Sequence, residues 1–115
     1  MNKRSPITTH ILDISLGKPA ADVSCKLERQ TTQSDWEKLG EGMTNADGRQ
    51  ENLFSGPLTS GVYRLEFFTK PYFERKQTKS FYSSVTVTFE VTATEEHYHV
   101  PLLLSPFGYS TYRGS

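Results

Sequence analysis

Three histidines and one arginine are the residues of this chain best equipped to do chemistry, and their spacing is not that of an ordinary solvent face. In "HYHVPLLL", residues 97 to 104, strand alternation puts Tyr98, Val100, Leu102 and Leu104 on a core face. His97, His99, Pro101 and Leu103 then share the opposite face. The stretch "ITTHILD", residues 7 to 13, repeats the arrangement, with Ile7, Thr9 and Ile11 inward and Thr8, His10 and Leu12 outward. One histidine on a strand face is unremarkable surface. Three on outer faces beside proline and leucine describe a surface that meets something, made of the one side chain that takes and gives protons near neutral pH.

Arg49 follows the turn signal "NADG" and reads either as a solvated turn residue or as the first residue of a strand pointing into a cleft. Its planar fork of donors matches carboxylate, ureide or imide oxygens. Metal binding is the competing use of the histidines: His-x-His projects two rings to one side, and His10 could supply a third nitrogen. No carboxylate stands at an obvious supporting offset, so the reading prefers neither metal nor cofactor. There is no Gly-x-Ser-x-Gly, and Cys25, the single cysteine, lies in an apolar register that reads as core. Water is therefore the expected nucleophile. The chain ends in "YSTYRGS", an aromatic and basic tail unlike a fraying terminus.

The elements that must position these groups have a period of two. "DVSCKLER" places Val23, Cys25 and Leu27 on one face; "SVTVTFEV" places Val85, Val87, Phe89 and Val91; "GVYRLEFF" places Tyr63, Leu65 and Phe67. Turn signals at 16–20, 45–48, 55–61 and 105–108 separate them, which predicts an all-β sandwich or barrel of seven or eight strands. Only "KPYFERKQ", 70 to 77, breaks the rhythm, and Pro71 suits the first turn of a short helix.

A chain of 115 residues, 35% hydrophobic and 12% aromatic, has enough core for one domain spanning residues 1–115. Thirteen basic residues balance thirteen acidic ones. No basic footprint points to nucleic acid or an anionic membrane. The basic start carries no apolar run of signal-peptide length, which predicts a cytoplasmic protein. A removed periplasmic leader or a peroxisomal setting stays open.

The blocks "THILD" (9–13), "GKPA" (17–20), "TNADGR" (44–49) and "HYHVPLLLSPFGYSTYRGS" (97–115) together resemble the transthyretin-related family, in its order and spacing, from Ile7 to Ser115. The ending Tyr-Arg-Gly-Ser resembles the hydrolase branch of that family. Phe107, where tyrosine is usual, and Ser83, where proline often stands, depart from its pattern without touching the motif residues. The resemblance implies a transthyretin-like (prealbumin-like) two-sheet β-sandwich of about eight strands and one short helix. It implies a homotetramer with active sites at the dimer–dimer interface, and hydrolytic opening of 5-hydroxyisourate in purine (urate) breakdown. It assigns catalysis to His10, Arg49, His99 and Ser115 and substrate binding to His10, Arg49 and Tyr112, leaving His97 outside the set. The alternative is a non-catalytic small-ligand carrier of the transthyretin type.

Overall fold

The computed structural model describes residues 5–115; the basic start, on which the targeting expectation drew, lies outside them. The chain runs β1 (Ile7–Asp13), β2 (Lys18–Pro19), β3 (Ser24–Gln30), β4 (Trp36–Met43), β5 (Arg49–Gln50), β6 (Gly61–Phe68), α1 (Thr69–Arg75), β7 (Val85–Val91), β8 (Tyr98–Ser105) and β9 (Gly108–Thr111). Two sheets form: one in the order β2-β1-β8-β9 with β5 also paired to β1, the other in the order β4-β3-β6-β7. This is the expected all-β sandwich. Its strand count exceeds the reading because β2 is a two-residue pairing inside a stretch that reads as a turn and β5 is a two-residue pairing directly after one.

The alternation predicts the core. Tyr63, Leu65 and Phe67 of β6, Cys25 and Leu27 of β3, and Leu102 and Leu104 of β8 are all buried between the sheets. Full burial of each such side chain stabilises by roughly 1.5–3 kcal/mol. On β7, Val85 and Val91 are buried while Val87 and Phe89 are only partly covered, because β7 is an edge strand facing the open side of the sandwich. Burial pushes the Cys25 thiol up to about 12, so the side chain behaves as a small apolar residue and not as a nucleophile.

Helix α1 packs Tyr72 and Phe73 onto the core. Tyr72 donates its hydroxyl to Asp13 Oδ2 at 2.7 Å, which ties the helix to the end of β1. Asp13 Oδ1 accepts from the Ser15 hydroxyl at 2.5 Å and from the Ser15 and Leu16 amides. Burial alone would raise the Asp13 carboxyl, but the combined hydrogen bonds from Ser15, Tyr72 and Leu16 hold it below the usual carboxylate value. Among the described residues no helix is long and apolar enough to cross a membrane.

Candidate active site

The parallel pairing of β1 with β8 builds the outer face. In register, Thr8 stands opposite His99, His10 opposite Pro101 and Leu12 opposite Leu103. On its other side His10 is opposite Arg49 of β5. Arg49, His10 and Pro101 thus form one row across three strands, with His99 a row away on the next strand. A strand spacing of about 4.8 Å and a rise of about 3.3 Å per residue put His10 and His99 roughly 8 Å apart at Cα. A small planar heterocycle spans that distance.

Arg49 owes its place to the turn before it. Asn45 Oδ1 accepts the amides of Asp47 and Arg49 at 2.9 and 3.0 Å, and the Gly48 amide donates to the Asn45 carbonyl at 2.9 Å. Gly48 sits at φ +76°, where a Cβ would stand 2.5 Å from the Ile11 carbonyl oxygen. Only glycine lets the turn lie this close to β1. The Gly48 carbonyl accepts the Ile11 amide at 2.8 Å, so β5 is pinned beside His10. Of the two readings of Arg49, the structure gives the first residue of a strand. Its guanidinium is exposed and has no ion-pair partner among the described residues, which leaves a fork of donors available to an anionic or carbonyl-rich ligand.

Thr8 differs from its expected environment. Strand parity puts it on the outer face, as expected, yet it is fully buried (0% exposed) because two imidazoles cover it. Its Oγ1 lies 2.9 Å from His97 Nε2 and 2.8 Å from His99 Nδ1. His99 therefore engages the protein through Nδ1, and Nε2 is its other ring nitrogen. Each of the three histidine side chains is half-buried.

The tail is tied down. Thr111 Oγ1 donates to the Pro101 carbonyl at 2.7 Å, and the Gly114 amide donates to the His99 carbonyl at 2.8 Å in an isolated antiparallel bridge. A Cβ on Gly114 would stand 2.6 Å from His99 Cδ2 and 3.2 Å from Pro101 Cγ, so the tail backbone packs against the His99 ring itself. Arg113 reaches Glu96 at 2.9 Å and the His97 carbonyl at 3.3 Å, and lies over the Tyr98 ring at 4.3 Å.

His10, Arg49 and His99 are thus gathered on one sheet face. Ser115 is exposed, one residue past the bridge that abuts His99. Tyr112 is exposed and lines a groove of about 350 Å³ along the open edge of the sandwich, with Val87, Phe89, Val100 and Arg113. Sequence reasoning missed Thr8 and Arg113. Parity did put Thr8 on the face of His10, but only the pairing with β8 discloses what covers it. Among the described residues no group of three or more His, Cys, Asp or Glu side chains is arranged to hold a metal ion.

A two-sheet sandwich bearing an imidazole-rich outer sheet face beside a pinned arginine is a transthyretin-like domain with a polar face site. The profile of the HIUase/Transthyretin family matches residues 7–114, and the chain belongs to that family. Among particular relatives, the 5-hydroxyisourate hydrolase of Salmonella typhimurium is 46% identical over 110 residues, which covers 95% of this chain and 80% of that one. Among solved structures, Klebsiella pneumoniae 5-hydroxyisourate hydrolase superposes with a TM-score of 0.84 at 37% identity, covering 98% of this chain and 100% of that one. Sea bream transthyretin in complex with thyroxine superposes with a TM-score of 0.88 at 35% identity, covering 96% and 95%. The fold alone does not separate hydrolase from carrier.

Proposed function

We propose that this chain is a 5-hydroxyisourate hydrolase, opening 5-hydroxyisourate to 2-oxo-4-hydroxy-4-carboxy-5-ureidoimidazoline in urate breakdown. The observation that carries the reading is the row Arg49–His10–Pro101 with His99 beside it: two imidazoles and one guanidinium on a single sheet face, with His10 and His99 roughly 8 Å apart at Cα, a distance that a planar heterocycle spans. The near full-length likeness to the Salmonella and Klebsiella hydrolases supports it.

The reaction adds water to a ring carbonyl carbon and breaks its bond to a ring nitrogen. His99, through Nε2, takes a proton from the attacking water while His10 orients that water or supplies the departing nitrogen with its proton. Arg49 binds the substrate oxygens and stabilises the negative charge that grows on the attacked carbonyl. Base assistance of this kind contributes about two to four powers of ten. Ser115 offers its hydroxyl to the substrate, whereas Tyr112 lines a groove that contains none of His10, Arg49 and His99 and is the member of the expected set that the single chain does not bring to them. The active assembly is a homotetramer in the cytoplasm, with a partner's face closing the site over the half-buried Leu12 and Leu103.

The likeness to thyroxine-bound sea bream transthyretin favours, as the second reading, a carrier that binds without catalysis. Ultraviolet decay of freshly made 5-hydroxyisourate separates the two. Catalytic amounts of the protein accelerate the decay if it is the hydrolase. Stoichiometric binding with decay at the spontaneous rate makes it a carrier.

A further inference from the structure

We infer that Thr8 and His97 are positioning residues for His99, a buried hydroxyl and a half-buried imidazole that set which ring nitrogen of His99 carries the proton. The inference rests on the hydrolase reading of this face. The Thr8 hydroxyl has one proton and two lone pairs, and two ring nitrogens lie within hydrogen-bond distance of it, His97 Nε2 at 2.9 Å and His99 Nδ1 at 2.8 Å. The hydroxyl is shut off from solvent, so water does not substitute for a lost partner.

For His99 to accept a proton through Nε2, its own proton must sit on Nδ1. Nδ1–H then donates to Thr8 Oγ1, and the Thr8 hydroxyl donates onward to His97 Nε2. In this assignment one direction of donation runs from His99 through Thr8 to His97. The opposite direction would put the His99 proton on Nε2 and make the ring an acid where water must be deprotonated. His97 thereby acquires a role that its position outside the reacting set hides: it accepts the hydrogen bond of the Thr8 hydroxyl, which keeps the hydroxyl's lone pair turned to His99. The partner of one imidazole nitrogen commonly fixes the protonation of the other. When His99 takes the proton of water and becomes charged, the bond from Nδ1–H to Thr8 becomes charge-assisted and stronger.

The test uses the full chain labelled with ¹⁵N-histidine at about pH 8.5, two units above the ordinary imidazole value, with long-range ¹H–¹⁵N correlation to read the tautomer of His99. The expected result is a protonated Nδ1 and an unprotonated Nε2. In Thr8→Val, which keeps the β-branched shape and loses the hydroxyl, the tautomer should become mixed. There kcat should fall about tenfold to a hundredfold with KM within about twofold, and Thr8→Ser should recover most of the loss. His97→Phe should lower kcat about threefold to tenfold, and the Thr8→Val/His97→Phe pair should be no worse than Thr8→Val alone, since both act through one chain of bonds. A wild-type His99 protonated on Nε2 would overturn the inference even if Thr8→Val failed to fold. So would a folded Thr8→Val with wild-type kcat and tautomer. If the protein does not hydrolyse 5-hydroxyisourate at all, it is the hydrolase reading that fails, and the tautomer measurement still judges the hydrogen-bond assignment.

Discussion

A histidine in this protein is useful in proportion to what fixes its ring. His99 is held at Nδ1 by Thr8, at its backbone carbonyl by Gly114, and along its edge by the tail. Among the described residues His10 is held by its place in the register between Arg49 and Pro101, with no side-chain hydrogen bond. Replacing either by alanine should lower kcat/KM for 5-hydroxyisourate by about a hundredfold or more, the span of general acid–base groups, while His97→Ala should stay within about tenfold. A His97→Ala enzyme more damaged than both would invert the roles. Gly114→Ala gives a finer probe, because its Cβ would meet His99 Cδ2 at 2.6 Å and one of the two must move. We expect kcat to fall about tenfold with the fold intact; an unchanged kcat would show that the tail yields instead of the ring. At this scale parity and motif pointed to His10, Arg49 and His99, which the strand register places on one face. The sequence hid Thr8, whose burial comes from a strand 91 residues away.

Elements carry these side chains, and their legibility followed their patterning. β1, β3, β6 and β8 alternate because one face of each meets the core, so their inward sets could be named from the sequence. β4 gave no such signal: Trp36–Met43 is mostly exposed or half-exposed on both faces, as befits a sheet edge. The two-residue strands β2 and β5 exist only by pairing with β1. The attachment of α1 to β1 was also invisible, since it depends on one bond between Tyr72 and Asp13. Tyr72→Phe should cost about 2 kcal/mol at neutral pH, the range for a hydrogen bond to a charged group. The pH dependence has a definite sign. Asp13 has its carboxyl lowered in the folded state, so its contribution is present above the unfolded value near 4 and is lost as pH falls through the lower folded value. The difference in thermal midpoint between wild type and Tyr72→Phe should therefore be widest near pH 7 and shrink below about pH 4. A difference that grows in acid would contradict this account of Asp13.

At the scale of the whole molecule, an isolated chain leaves much apolar surface uncovered. Ile14, Leu16, Phe81 and Phe107 are exposed, and the Phe81, Tyr82 and Tyr109 rings stack edge-on at the surface. Patches of this kind mark interfaces, which accords with the proposed homotetramer and with a site that becomes desolvated only when a second copy covers it. Light scattering on the dilute protein should give four times the chain mass, with hydrolysis falling when the assembly is diluted apart. A fully active monomer would exclude a site shared between copies. The sandwich class was readable from strand spacing and turn residues, whereas which strands pair was not, because the parallel contact of β1 with β8 joins opposite ends of the chain.

The central claim is that this face hydrolyses 5-hydroxyisourate with its groups held in fixed geometry around one substrate orientation. Circular dichroism of the product, followed while ultraviolet absorption reports loss of substrate, tests it most directly, because spontaneous hydrolysis is not stereoselective. With the wild-type protein in catalytic amount, the decay should accelerate and a single-handed 2-oxo-4-hydroxy-4-carboxy-5-ureidoimidazoline signal should rise, both lost in His99→Ala. Decay at the spontaneous rate with no dichroic product, from a protein that is folded and assembled, would contradict the account.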